Sequence, residues 1–98
     1  MVIASARYEL RIPAASSLKD KRQVIRGLIE RLRNRYNLSV AEVADQDQWR
    51  KATIGVACVS STQHHARHLI DIATRHVEGC LEIEIARVAV DFFSDTDE

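Results

Sequence analysis

The chain is short of most residues that announce a chemistry. Two cysteines, Cys58 and Cys80, are too few for a disulfide framework, and both fall in or beside apolar stretches where a reduced thiol behaves as a small hydrophobe. Three glycines, Gly27, Gly55 and Gly79, are scattered, which excludes a glycine-rich phosphate loop. No apolar run approaches the roughly 20 residues of a membrane span. No basic segment followed by a hydrophobic one opens the sequence. The expectation is a soluble, unexported, cytoplasmic protein with no membrane partner. Internal repeats and low-complexity segments are absent too, and 98 residues suit one domain with one modest core.

Net charge is also missing, but the zero hides a division. Residues 1–35 hold nine Lys/Arg against three Asp/Glu, net +6, whereas residues 36–98 hold five against eleven, net −6. A basic surface of that kind favours anionic partners such as nucleic acid. The plain alternative is that it neutralises acidic neighbours within the fold or in a second copy.

Half of the basic residues lie between Ser16 and Tyr36. Leu18, Ile25, Leu28, Ile29, Leu32 and Tyr36 recur at spacings of three and four, widened by Val24, which predicts a helix with one apolar face. Ser17 is placed to cap it, with Asp20 three residues on as a capping carboxylate. Lys19, Arg22, Arg26 and Arg33 fall in one band beside the apolar stripe, and Lys21, Arg31 and Arg35 lie within or beyond its other edge.

The rest of the chain alternates simple elements. Val2 to Ile12 is a half-buried strand with Val2, Ala4, Ala6, Tyr8, Leu10 and Ile12 on one face, ended by Pro13. Leu38–Val43 reads as a second strand, residues 45–50 as a polar hairpin loop, and Thr53–Val59 as a third strand. Thr62 and its neighbours cap a second helix, about Gln63 to Val77, and Gly79 stops it. Leu81 to Phe93 is a final strand whose alternation changes phase, as either a bulge near Ala86 and Arg87 or burial of the strand on both faces would make it. Residues 94–98 form an acidic tail beyond a single domain over residues 1–93.

The order β-α-β-β-α-β, with one apolar face per element, implies an α+β ferredoxin-like sandwich. Its four-stranded antiparallel sheet carries both helices on one face. Right-handed crossovers put the first and third strands in the middle, in spatial order 4-1-3-2. The other sheet face, with Arg7, Arg11, Thr53, Gly55 and Ala57, is then open to water or a partner.

Few residues suggest catalysis. His64, His68 and Asp71 share a helical stripe beside His65 and could ligate a metal, but the stripe lies opposite the core face and Asp71 has Arg75 as an ordinary partner. Cys58 alternates with core residues, and Glu82 and Glu84 share a strand face as edge charges do. A non-enzymatic protein with no catalytic residues, metal or cofactor is expected.

RNA binding has a better basis. Lys19, Lys21, Arg22, Arg26 and Arg33 are candidate phosphate contacts, and Trp49 is a candidate stacking residue. The third strand has no aromatic, so backbone recognition is expected in place of base stacking on the sheet. Self-association is the alternative: Gly55 and Ala57 would permit close approach of another surface, and Arg7, Glu9 and Arg11 carry mixed charges that a two-fold interface can pair with itself. A homodimeric regulatory or small-molecule-binding module would use that face.

Three segments taken together also resemble the YlxP family of small bacterial proteins: Ser17-Leu-Lys-Asp-Lys-Arg22, Asn37-Leu-Ser-Val-Ala-Glu-Val43, and Asp47-Gln-Trp49 leading through Ala52 and Gly55 to Val59-Ser60. The resemblance spans nearly the whole chain. It implies a ferredoxin-like fold, and members encoded beside transcription-termination, translation-initiation and ribosome-maturation factors imply a ribosomal RNA or ribosomal particle as partner. It supplies no catalytic residues.

Overall fold

Each stretch of alternating or helical periodicity becomes one element in the computed structural model, which describes residues 1–95. Strand β1 (Val2–Arg11) leads to helix α1 (Leu18–Arg35) and strand β2 (Ser39–Ala44). Strand β3 (Lys51–Ser60), helix α2 (Gln63–Glu78) and strand β4 (Glu84–Ser94) follow. The sheet is antiparallel in the order β2-β3-β1-β4, the ferredoxin-like order expected from the sequence.

One face of this sheet and the inner faces of both helices make a single core. Tyr8, Ile54, Val56, Ile25, Leu28, Leu32, Ile70 and Val77 are nearly or fully excluded from solvent. The hydroxyl of Tyr8 meets Thr74 Oγ1 at 2.8 Å, which satisfies the phenol of this buried side chain. Both helices begin on their anticipated caps. Ser17 Oγ accepts from Asp20 N and Thr62 Oγ1 from His65 N.

The phase change in β4 is a bulge. Leu10 pairs with Ile85 and Glu9 with Arg87, leaving Ala86 without a counterpart on β1. A second irregularity lies in β2, where Glu42 pairs with Ile54 and Ala44 with Thr53 so that Val43 is the extra residue.

Three expectations are corrected. The last strand starts at Glu84, so Leu81 lies in a turn, fully exposed, and Glu82 does not share a strand with Glu84. The last strand also runs past Phe93: Ser94 is opposite Val2, and Asp95 accepts a 2.7 Å bond from the Met1 amino group. The remainder of the acidic tail, residues 96–98, lies outside the described residues. Thr53 does not face an open surface, because its hydroxyl donates to Asp45 Oδ2 at 2.8 Å and the residue is buried.

The outer sheet face can be read row by row from the register. Val59, Ile3 and Phe93 form an exposed apolar row at one end. Ala57, Ser5 and Asp91 come next, then Gly55, Arg7 and Ala89, then Thr53, Glu9 and Arg87.

Candidate nucleic-acid interface

Helix α1 distributes its seven basic residues to different tasks, and burial decides which remain available. Lys21 is completely excluded from solvent. Its ammonium meets Glu42 Oε2 at 2.7 Å and donates to the carbonyl oxygens of Asp45 at 2.8 Å and Gln46 at 3.2 Å. The buried ammonium thus places hydrogen bonds on two carbonyls, while the close Glu42 carboxylate neutralises its charge as an ion pair. Lys21 is therefore removed from the set of candidate RNA contacts. It fastens the β2–β3 loop to the N-terminal part of α1. The signal was in the sequence: Lys21, Ile25, Leu28 and Leu32 are spaced four, three and four, so the lysine lies on the buried stripe itself.

The loop it holds is well specified. Asp45 has φ 63°, a left-handed conformation that Asp tolerates better than most residues, and its carbonyl also accepts from Gln48 N at 3.1 Å. Arg50 Nε donates to Ala15 O at 3.1 Å, and Arg50 O accepts from Ile12 N at 2.9 Å. Trp49, between these anchors, is left 54% exposed. It neither enters the core nor covers it.

Asp20 acts at the helix start. Its Oδ2 accepts from Ser16 N and from the Ser16 hydroxyl, and these bonds, the hydroxyl's first, hold the carboxyl below its ordinary value. Its role is capping, so the charge of the Lys-Asp-Lys-Arg segment that points outward comes from Lys19 and Arg22.

Arg22, Arg26 and Arg33 are exposed and line one groove between α1 and β2, together with Ile29, Glu30 and Ala41. Glu42 also lines it, but its carboxylate is engaged by Lys21. Arg33 is partly committed: Nε and Nη2 both donate to Val40 O, at 3.1 and 2.5 Å. Arg33 has no ion pair but is tied to this carbonyl, whereas Arg22 and Arg26, one helical turn apart, have neither an ion pair within 4 Å nor a side-chain hydrogen bond among the described residues. Sequence reasoning grouped Lys19, Arg22, Arg26 and Arg33 in one band, with Lys21 within or beyond the other edge of the apolar stripe, and could not separate the anchored from the free.

Arg31 and Arg35 belong to the opposite flank. Arg31 Nη2 approaches Cys80 Sγ at 3.6 Å, and both guanidinium groups bear on His76, whose ring meets Tyr36 edge-on at 6.0 Å. Burial, then these two positive charges, lowers the His76 pKa.

The remaining candidates are placed as follows. Arg7, Glu9 and Arg11 lie on the open sheet face beside Gly55 and Ala57, with Arg87 Nε 4.0 Å from Glu9. Close approach at Gly55 is already used by the chain itself, since a Cβ there would stand 3.1 Å from Val43 Cγ1. Burial raises the Cys58 thiol pKa, which disfavours a thiolate. His64, His68 and Asp71 are exposed on α2, and among the described residues no three His, Cys, Asp or Glu side chains gather where a metal ion could sit.

Residues 3–90 match the family described as "Protein of unknown function (DUF503)". The chain is 30% identical over 92 residues to the "Uncharacterized protein YlxP" of Bacillus subtilis (strain 168), covering 94% of this chain and all of that one. Among solved structures it resembles a de novo designed protein with a ferredoxin fold, at a TM-score of 0.52 and 12% identity over 99% of this chain and 88% of the other. That likeness concerns the fold alone. No helix of the described residues is long and apolar enough to cross a membrane.

Proposed function

The chain belongs to the DUF503 family of proteins of unknown function, and on that premise we propose that it is a non-enzymatic cytoplasmic factor that binds RNA, ribosomal RNA or a ribosomal particle, through α1. The observation that carries this reading is the pair Arg22 and Arg26, exposed one turn apart on the α1–β2 groove with no carboxylate partner among the described residues. Guanidinium groups so placed can each take two oxygens of a phosphate bidentately, and displaced counterions then favour binding. Lys19 extends the row, and Arg33 contributes charge while anchored on Val40 O. Trp49 offers a stacking surface for an unpaired base at the end of α1 where Lys21 tethers its loop.

The test is filter binding of the protein to ribosomal RNA across a salt series. Arg22→Gln/Arg26→Gln is expected to weaken binding and to lower the slope of log affinity against log salt by roughly one unit per lost phosphate contact. Equal affinity and slope in the variant would remove α1 from the binding surface.

A second reading, a small-molecule-binding module, draws on the shallow groove of the open face between Arg7, Val43, Gly55 and Asp91. A metabolite screen by thermal shift separates the two, since a ligand of the folded state raises the melting temperature by mass action.

A further inference from the structure

We infer that the chain pairs with a second copy of itself along the outer edge of β4, antiparallel, about a two-fold axis at Ala89. This inference does not rest on RNA binding.

The outer side of β4 faces no other strand among the described residues, because β4 is the last strand in the order β2-β3-β1-β4. Between Arg87 and Phe93 five of seven residues are apolar: Val88, Ala89, Val90, Phe92 and Phe93. Proline and lysine, which commonly blunt such edges, are absent there. Val88 is 37% and Phe93 73% exposed. A strand edge this apolar is a template for pairing, and the question is with what.

The charges answer it. The register on β1 sets Arg87, Ala89 and Asp91 on the open face, opposite Glu9, Arg7 and Ser5, and Val88 and Val90 on the core face, opposite Tyr8 and Ala6. Directly opposed residues of an antiparallel pair share a face, so a two-fold axis must pass at a residue and not between two. With the axis at Ala89, Arg87 faces the second copy's Asp91 and Asp91 faces its Arg87. Val88 then faces Val90, and Ala89 faces itself. An axis at Val88 or Val90 sets these charges against other residues, and an axis at Arg87 or Asp91 opposes like charges. One register alone pairs both charges, and Arg87 to Asp91 lies wholly past the bulge at Ala86. Arg87's contact with Glu9, at 4.0 Å and largely exposed, leaves the guanidinium free to turn toward the second copy. The joined sheet would also bring Val88 and Val90 of both copies together beside their cores.

Sedimentation equilibrium of the full chain tests this. The wild type is expected to be a dimer at micromolar concentration. Arg87→Asp and Asp91→Arg are each expected to weaken association about tenfold or more, since each places two like-charge pairs across the axis. An equimolar mixture of the two variants is expected to dimerise again, because a heterodimer restores both opposite-charge pairs. Ala89→Cys is expected to form a disulfide-linked dimer on mild oxidation where the wild type does not. A wild type that stays monomeric at hundreds of micromolar, single variants that dimerise unchanged, a mixture that fails to associate, or an Ala89→Cys protein that cross-links no faster than wild type would each overturn the inference.

Discussion

The two outer strands of the sheet are finished in opposite ways. On the β2 side, α1 lies alongside the strand, Arg33 covers the carbonyl of Val40, and Lys21 ties the following loop down through Glu42, Asp45 and Gln46. On the β4 side the strand runs eleven residues, and the described contact across its core face from a charged side chain is Arg67 over the Phe92 ring, 4.7 Å from its centroid. Polar side chains are thus concentrated where the protein closes its own edge. They are sparse along the outer edge of β4. The difference teaches that the basic residues of α1 are not one reservoir of charge: some complete the fold, and the ones left over are those available to an anionic partner.

Breaking the guarded side should cost most. Lys21→Ala leaves the half-buried Glu42 carboxylate unpaired and removes the donor to the Asp45 and Gln46 carbonyls, of which Asp45 O keeps Gln48 N, and should lower unfolding free energy by about 3 kcal/mol in urea titrations. Lys21→Met with Glu42→Leu, which removes both charges and keeps volume, should restore much of that loss. Arg33→Ala uncovers Val40 O on an exposed edge, with an expected loss of about 1 kcal/mol and faster aggregation by light scattering. On the other side, Arg67→Ala removes a partly exposed cation–π contact and should cost only about 0.5 kcal/mol by thermal denaturation. If Arg67→Ala cost more than Lys21→Ala, the contrast between the two sides would be wrong.

The smallest effect lies at the seam between the helices. His76 has a folded pKa lowered by burial and by Arg31 and Arg35, so above the ordinary histidine value the ring is neutral in both states and contributes no pH dependence. As pH falls through the window between the unfolded and the lowered folded pKa, the unfolded chain takes the proton first and stability drops. His76→Gln should flatten that part of the urea midpoint against pH curve between neutrality and mild acid.

Much of this architecture was legible in the sequence. Alternation in Val2–Arg11, the three-and-four spacing of α1, the Ser17 and Thr62 caps and the phase slip at Ala86 are local patterns, and local patterns survive into structure. What escaped were pairings over distance. Lys21 finds its oxygens 21 to 25 residues away, Thr53 is buried by an aspartate from the preceding loop, and Asp95 is held by Met1. Leu81 misled because its register matched Ile83 and Ile85, yet Ile83 is buried just ahead of a strand that begins at Glu84. The candidate interface was legible as a band of charge but not as a division of labour, since periodicity places a side chain on a face without telling what crosses that face.

Sucrose-gradient co-sedimentation of tagged wild type and Arg22→Gln/Arg26→Gln protein with ribosomal particles, at low and moderate salt, is the most direct measurement. The expected result is salt-sensitive migration of the wild type with one subunit or precursor fraction, and loss of that migration in a variant whose folding and stability are unchanged. A wild type that stays at the top of the gradient at low salt, or a variant that migrates equally, would contradict the assignment of Arg22 and Arg26 to an RNA partner.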